Sequence, residues 1–215
     1  MHRFLALLVL TVATLTAGGA AMAIEQPKYA VVQKDGDFEV RRYAPYLAAE
    51  VIVSGDQGEA VKKGFRKLAG YIFGGNAGKA KIAMTAPVAQ QPQGEKIAMT
   101  SPVAQTPEGP GRWTVQFMMP SAYTLETLPR PTDPDIHFRN HPARETAVLH
   151  FSGVARDQDY RTRSEALRRW AAGKGLTVRG GVVLAQYDPP WTLWFMRRNE
   201  VLIEIAGGSS APTLP

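Results

Sequence analysis

The sequence predicts an α+β fold built of two similar halves, and three observations predict it. Short strand-forming runs joined by tight turns surround two amphipathic helical segments. The order of elements is strands, helix, strands, and then that order again. Short turns favour antiparallel pairing, and two helices in such a chain must cover the sheet. A ten-residue phrase also occurs twice at an offset of fifteen: Lys81 to Gln90 and Lys96 to Gln105 differ only at Ala86/Ser101.

The first 23 residues are set apart from the fold. His2 and Arg3 form a basic start, Phe4 to Leu15 an apolar run, and Ala21-Met22-Ala23 a small-residue cleavage site. This pattern predicts a secretory signal peptide over residues 1–23 and a periplasmic or secreted protein. The apolar run breaks at Thr14, Thr16, Gly18 and Gly19, short of the roughly 20 residues a membrane span needs. No later segment is apolar enough for a stable span.

Tyr29 to Gln33 and Phe38 to Tyr43 flank Lys34-Asp35-Gly36-Asp37, whose Asp-Gly pair predicts a hairpin turn. Leu47 to Val53 reads as a third strand. Asp56 and Glu59 fit a capping box opening a helix. That helix places Val61, Phe65, Leu68 and Ile72 on one face, flanked by Lys62, Lys63, Arg66 and Lys67, and Gly74-Gly75-Asn76 ends it. The two copies of the phrase follow as strands of a hairpin joined through Gln91 to Gly94, each closed by Thr-X-Pro. Trp113 to Met119 continues as a strand, Leu128 to Pro134 as a loop, and Ile136 to Asn140 and Thr146 to Phe151 as short strands. A second helix from Asp157 to Ala172 turns Tyr160, Ser164, Leu167, Trp170 and Ala171 inward. Val182 to Tyr187 and Val201 to Ile205 are the last strands. Small, polar and Pro-rich residues predict a disordered tail over 207–215.

Composition narrows the chemistry. The chain has no cysteine, which excludes disulfides, thiol catalysis and thiolate metal sites. The formal charge of +6 falls to +5 without Arg3, and the pI is 9.6. In an exported protein that basicity points to anionic lipids, cell-wall polymers or carboxylate-bearing ligands, and not to nucleic acid.

Four stretches together resemble the SOUL/haem-binding protein family. They are Phe38 to Tyr43, Gly64 to Asn76, the repeated Lys-Ile-Ala-Met-Thr-X-Pro-Val phrase, and Tyr187-Asp188-Pro189-Pro190-Trp191-Thr192 leading into Arg197 to Val201. The resemblance covers residues 28–205, within a domain of 24–206. It implies a distorted antiparallel β-barrel of two pseudo-symmetric halves, each with one packed α-helix, a gyrase-inhibitor-like fold whose members bind varied small molecules. It also implies reversible, non-catalytic binding of haem or another tetrapyrrole against the first helix, with basic side chains near the propionates. Matched onto the helix motif, Lys62 is the basic position and Phe65 and Ala69 the apolar face. Lys63 and Arg66 join them by charge alone. Some members ligate iron through an N-terminal His, and no His lies between Ala23 and Ile136 here.

Other residues that could carry chemistry are weighed against packing roles. Met84 and Met99 have thioethers, but core filling is the favoured reading. Tyr71 packs at the helix end. His137 and His141 share a strand face without forming a helical metal pair, and His150 should be half-buried. No metal site and no catalytic set emerges. Gly74 to Gly78 follows a helix instead of opening one, which suits a cap and not a phosphate cradle. Asp188 should stabilise a turn. Trp191, Trp194 and Phe195 could rim a pocket or touch a membrane, with packing over one end of the barrel as the favoured reading. The alternatives to haem are another amphipathic anion or, on this fold, hydrolysis of a small strained substrate. The last would need an acid such as Glu50 inside a pocket. Oligomeric state cannot be read from the sequence.

Overall fold

Strand β1 (Tyr29–Asp35) turns through Gly36, at φ 59°, into β2 (Phe38–Tyr43), as the Asp-Gly pair requires. The computed structural model describes residues 24–78, 94–189 and 191–206. The signal-peptide segment, the first copy of the phrase with Met84, positions 91–93 of its connection and the tail lie outside the described residues. After β2 come β3 (Tyr46–Ser54), helix α1 (Gln57–Ile72), β4 (Asn76–Ala77), β5 (Val103–Gly109) and β6 (Arg112–Met118). The chain continues through β7 (Arg130–Pro131), β8 (His137–His141), β9 (Arg144–Ser152), α2 (Asp157–Gly173), β10 (Val178–Gln186), a 3-10 turn (Trp194–Met196) and β11 (Arg198–Ile205).

Nine strands make one sheet in the order β1-β2-β9-β11-β10-β5-β6-β3-β8, every pair antiparallel, and β4 pairs with β7 separately. The two halves are legible in the pairing. β3-α1-β5-β6 repeats as β9-α2-β10-β11, with β3 and β9 each beside the last strand of its own half. The strand preceding each half crosses over: β2 pairs with β9, and β8 pairs with β3. The halves join where β5 meets β10, Gln105 opposite Leu184.

Strand alternation separates two faces. Ala49, Val51, Val115 and Phe117 lie under α1 with Leu68 and Ile72. Leu149, Leu184, Val201 and Ile203 lie under α2 with Tyr160 and Leu167. Trp113 packs against both clusters. Residues directly opposite in antiparallel strands share a face, so both helices cover the same side. The other side carries Arg41, Glu50, Gln116, Glu200 and Leu202.

Two sequence expectations are corrected. The second copy of the phrase is a strand only from Val103 onward. Its earlier residues spend their backbone bonds on other segments: Ile97 N–H on Ile72 C=O (2.8 Å) and Ser101 N–H on Glu25 C=O (3.0 Å). Thr100 Oγ1 donates to Met118 C=O. Met99 stands 41% exposed, so it does not fill a core. On α1 the buried face is Ala60, Gly64, Leu68, Tyr71 and Ile72, and Phe65 is off it. Gly64 explains the offset. A Cβ there would lie 2.5 Å from Val115 Cβ, so the helix sits too close to β6 for any larger residue. Asp56 Oδ1 caps the helix by accepting from Glu59 N–H at 2.8 Å, while the Glu59 carboxylate turns to Lys63 at 3.5 Å.

Candidate functional site

The flank of α1 facing the middle of the sheet has an unusual composition. Val61, Phe65, Ala69 and Phe73 follow one another at four-residue spacing, one ridge over from the buried face. Ala69 is buried, but Phe65 is 39% and Phe73 58% exposed. The Phe65 ring meets Phe117 of β6 edge-on, centroids 5.4 Å apart. At 100° per residue, Lys62 and Arg66 fall beside this ridge and Lys63 and Lys67 on the far flank. The partners agree with that division. Lys67 bonds Asp133 (2.7 Å) and Asp135 (2.8 Å), which raise its pKa, and Lys63 bonds Ser54 C=O (3.2 Å) and Glu59. Lys62 and Arg66 are exposed and have no partner among the described residues. The five predicted residues therefore divide. Lys62, Phe65, Ala69 and Arg66 share one flank of α1, and Lys63 lies across the helix with its charge already engaged.

Two concavities stand out among the described residues, the larger at one end of the sheet and the smaller on the face away from the helices. The larger, about 670 Å³, is walled by Met118, Met119, Leu47, Tyr46, Tyr123 and Leu125. The smaller, about 390 Å³, spans the junction of the halves and includes Ala104, Gln116, Thr146, Ala185, Tyr187 and Glu50. Both volumes lie in the range of small-molecule sites. Glu50 is buried against the smaller cavity, its carboxylate 2.9 Å from Arg139 Nε and 2.9 Å from His141 Nε2. His141 stacks on Tyr46 at 4.7 Å, and its Nδ1 lies 3.1 Å from Arg144. Thr146 is buried beside the cavity with no hydrogen-bond partner for Oγ1 among the described residues. No group of three or more His, Asp or Glu side chains is arranged to hold a metal among the described residues, although His137 lies opposite Glu50 in the β3–β8 register.

Sequence reasoning missed a buried ionic cluster on this same face. Arg41 and Glu200, 159 positions apart, are both fully buried and meet at 3.0 Å. Arg41 Nε also donates to Glu39 (2.7 Å) and Nη1 to the Tyr43 hydroxyl (3.0 Å), and Nη2 contacts His150 Nε2. Glu200 further accepts from Arg198 (2.6 Å) and the Tyr187 hydroxyl (2.7 Å), and His150 Nδ1 lies 3.1 Å away. Burial pushes the Glu39 carboxyl up, but the hydrogen bond and charge of Arg41 outweigh it and hold the pKa at about 2. Glu200 is lowered in the same way: burial opposes, and Arg41 and Arg198 prevail. Burial and the Glu200 charge push the Tyr187 phenol upward. Two of the four stretches read as motifs, Phe38–Tyr43 and the one running from Tyr187 into Arg197–Val201, thus converge on one cluster. The available signal was the charges at 39, 41 and 200 inside strand-forming runs.

The fold and these motifs define a small α+β protein of two repeated halves with helices on one face of an antiparallel sheet. The chain belongs to the SOUL heme-binding protein family, whose profile matches residues 24–204. It is 25% identical to heme-binding protein 2 of Mus musculus over 200 residues, covering 87% of this chain and 93% of that one. It is 28% identical to heme-binding protein 2 of Homo sapiens over 144 residues, 65% of each chain. In fold it is similar to a hydrolase from Listeria innocua, with a TM-score of 0.53 at 14% identity over 81% of this chain and 94% of that one.

Proposed function

We propose that this protein is an exported, non-catalytic carrier that binds haem or a related tetrapyrrole reversibly on the inward flank of α1. The observation that carries the reading is the apolar ridge of exposed Phe65 and Phe73 about buried Ala69, beside Lys62 and Arg66, two cations without a partner among the described residues. A planar apolar macrocycle would cover the ridge, and its propionates would reach Lys62 and Arg66. Lys63 would contribute long-range charge only, since Glu59 and Ser54 hold its ammonium. Bound iron would supply a Lewis-acidic, redox-active centre, with retention resting on burial and propionate pairing. The kinship with heme-binding protein 2 supports the ligand class.

Hemin titration of the chain beginning at Ile24 tests this. Micromolar hemin should shift the Soret band and quench tryptophan, and Lys62→Glu/Arg66→Glu should weaken binding roughly tenfold, the scale of two exposed charge contacts. No Soret shift would sink the proposal.

A second reading is favoured by Glu50 and Thr146. A buried carboxylate lining the same cavity as a buried hydroxyl that has no partner among the described residues suits a small polar or cationic ligand or a hydrolytic water. On that reading, Glu50→Gln would abolish turnover or binding of such a ligand and leave hemin binding unchanged.

A further inference from the structure

The loop between Asp188 and Arg198 was expected to pack over one end of the fold, and it does not. Trp191 is 82% exposed, and Leu193, Trp194, Phe195 and Met196 are each more than half exposed. None of the five lines either of the two concavities described above, so they do not rim those pockets. Five large apolar side chains within six positions form a patch that a folded protein does not leave in water without a use.

The loop is braced, not slack. Arg197 Nε donates to Thr192 C=O (2.8 Å), Met196 N–H to Leu193 C=O (2.9 Å), Thr192 N–H to Pro189 C=O (3.0 Å) and Arg198 N–H to Asp188 Oδ2 (2.6 Å). Its base is the buried cluster, through Arg198 and Glu200. A rigid turn with internally bonded amides can enter an apolar medium with few orphaned polar groups. Val154, just past the end of β9, is also 42% exposed, and Asn199 Nδ2 holds the neighbouring Gly153 C=O (2.9 Å).

We propose that the Trp191–Met196 loop docks this protein peripherally on an anionic lipid bilayer, its aromatic and aliphatic side chains entering the interfacial region. Composition selects this occupant. Two tryptophans with Leu, Phe and Met match the side chains that settle at membrane interfaces. No acidic residue lies between Asp188 and Glu200, while Arg197 and Arg198 close the segment and the chain carries a formal +6. Such charge complements an anionic headgroup layer. All five side chains are more than half exposed at once, which a fluid bilayer can cover without a complementary groove. No helix among the described residues is long and apolar enough to cross a membrane, so contact through this loop is superficial.

The test uses the chain from Ile24, which holds every described element, with vesicles of phosphatidylethanolamine and phosphatidylglycerol and with vesicles of phosphatidylcholine alone. The protein should co-sediment with the anionic vesicles, with blue-shifted tryptophan emission and weakening as salt rises. Trp194→Ser/Phe195→Ser should lower partitioning by tenfold or more, the scale of losing buried aromatic side chains. The variant's thermal midpoint should be unchanged, because these side chains support no core. Three results would overturn the proposal: no vesicle binding, equal binding to both vesicle types, or binding that survives the double substitution. Sedimentation equilibrium supplies a fourth. A dimer that falls apart in the double variant, with no vesicle binding, would make the loop an interface between copies.

Discussion

Arg41→Met should be the most damaging single substitution outside the hydrophobic core. In the native protein the Arg41 guanidinium answers two carboxylates and a phenol and lies 4.1 Å from the Tyr29 ring centroid. Without it, Glu39 keeps only Lys34, at 3.3 Å and largely exposed, and His150. Glu200 keeps Arg198, Tyr187 and His150. Two buried carboxylates then face one well-placed guanidinium. Removing one partner of a buried ion pair costs about 3–5 kcal/mol, most of it the desolvated charge left behind. A domain's whole stability is about 5–15 kcal/mol. At about 2–4 °C per kcal/mol for a chain this size, the melting midpoint should fall by about 6–20 °C. Differential scanning calorimetry at neutral pH reads the loss. Arg41→Met/Glu200→Met removes one of the two opposing charges and should recover part of the loss, because Arg198 is partly exposed and can turn to water while Glu39 still lacks its guanidinium. A single-variant cost under about 1 kcal/mol, or a double-variant cost equal to the sum of the singles, would refute the reasoning.

Two further predictions concern the same scaffold. Gly64→Ala should destabilise by about 1–3 kcal/mol despite its better helix propensity, because the added Cβ would collide with Val115, and Val115→Ala in the same chain should relieve it. Stability should also fall in acid. The Glu39 carboxyl sits at about 2 in the folded state against 4.5 ordinarily, so its contribution is complete above about pH 4.5 and disappears as pH drops through about 2. Glu200 is shifted in the same direction. The thermal midpoint should therefore drop over that window, and the drop should be shallower in Arg41→Met.

Local chemistry made much of the fold legible. The Asp35-Gly36 hairpin, the Asp56 cap, the inner face of α2 and the order of two halves need only short-range rules. The repeated phrase misled because Lys-Ile-Ala-Met-Thr has strand-like alternation, whereas the second copy's backbone bonds go to Ile72 and Glu25, partners that no local rule supplies. Spacing alone sets Phe65 on one face with Leu68 and Ile72, whereas the buried face runs through Gly64. The cue against it was Gly64, a mid-helix glycine whose function is close approach to β6. The cluster of Arg41 and Glu200 stayed hidden because its members are joined only by the strand order β2-β9-β11. The aromatic loop looked like core by composition, and only its place outside both helix-covered clusters shows that it faces solvent.

Backbone amide shifts recorded while the chain from Ile24 is titrated with diamagnetic gallium protoporphyrin test the central claim most directly, since they report where the macrocycle sits. The account predicts shifts concentrated on α1 from Val61 to Phe73 and on β6 near Phe117. Shifts concentrated around Glu50, Ala104 and Ala185 on the opposite face, or no shifts at all, would contradict it.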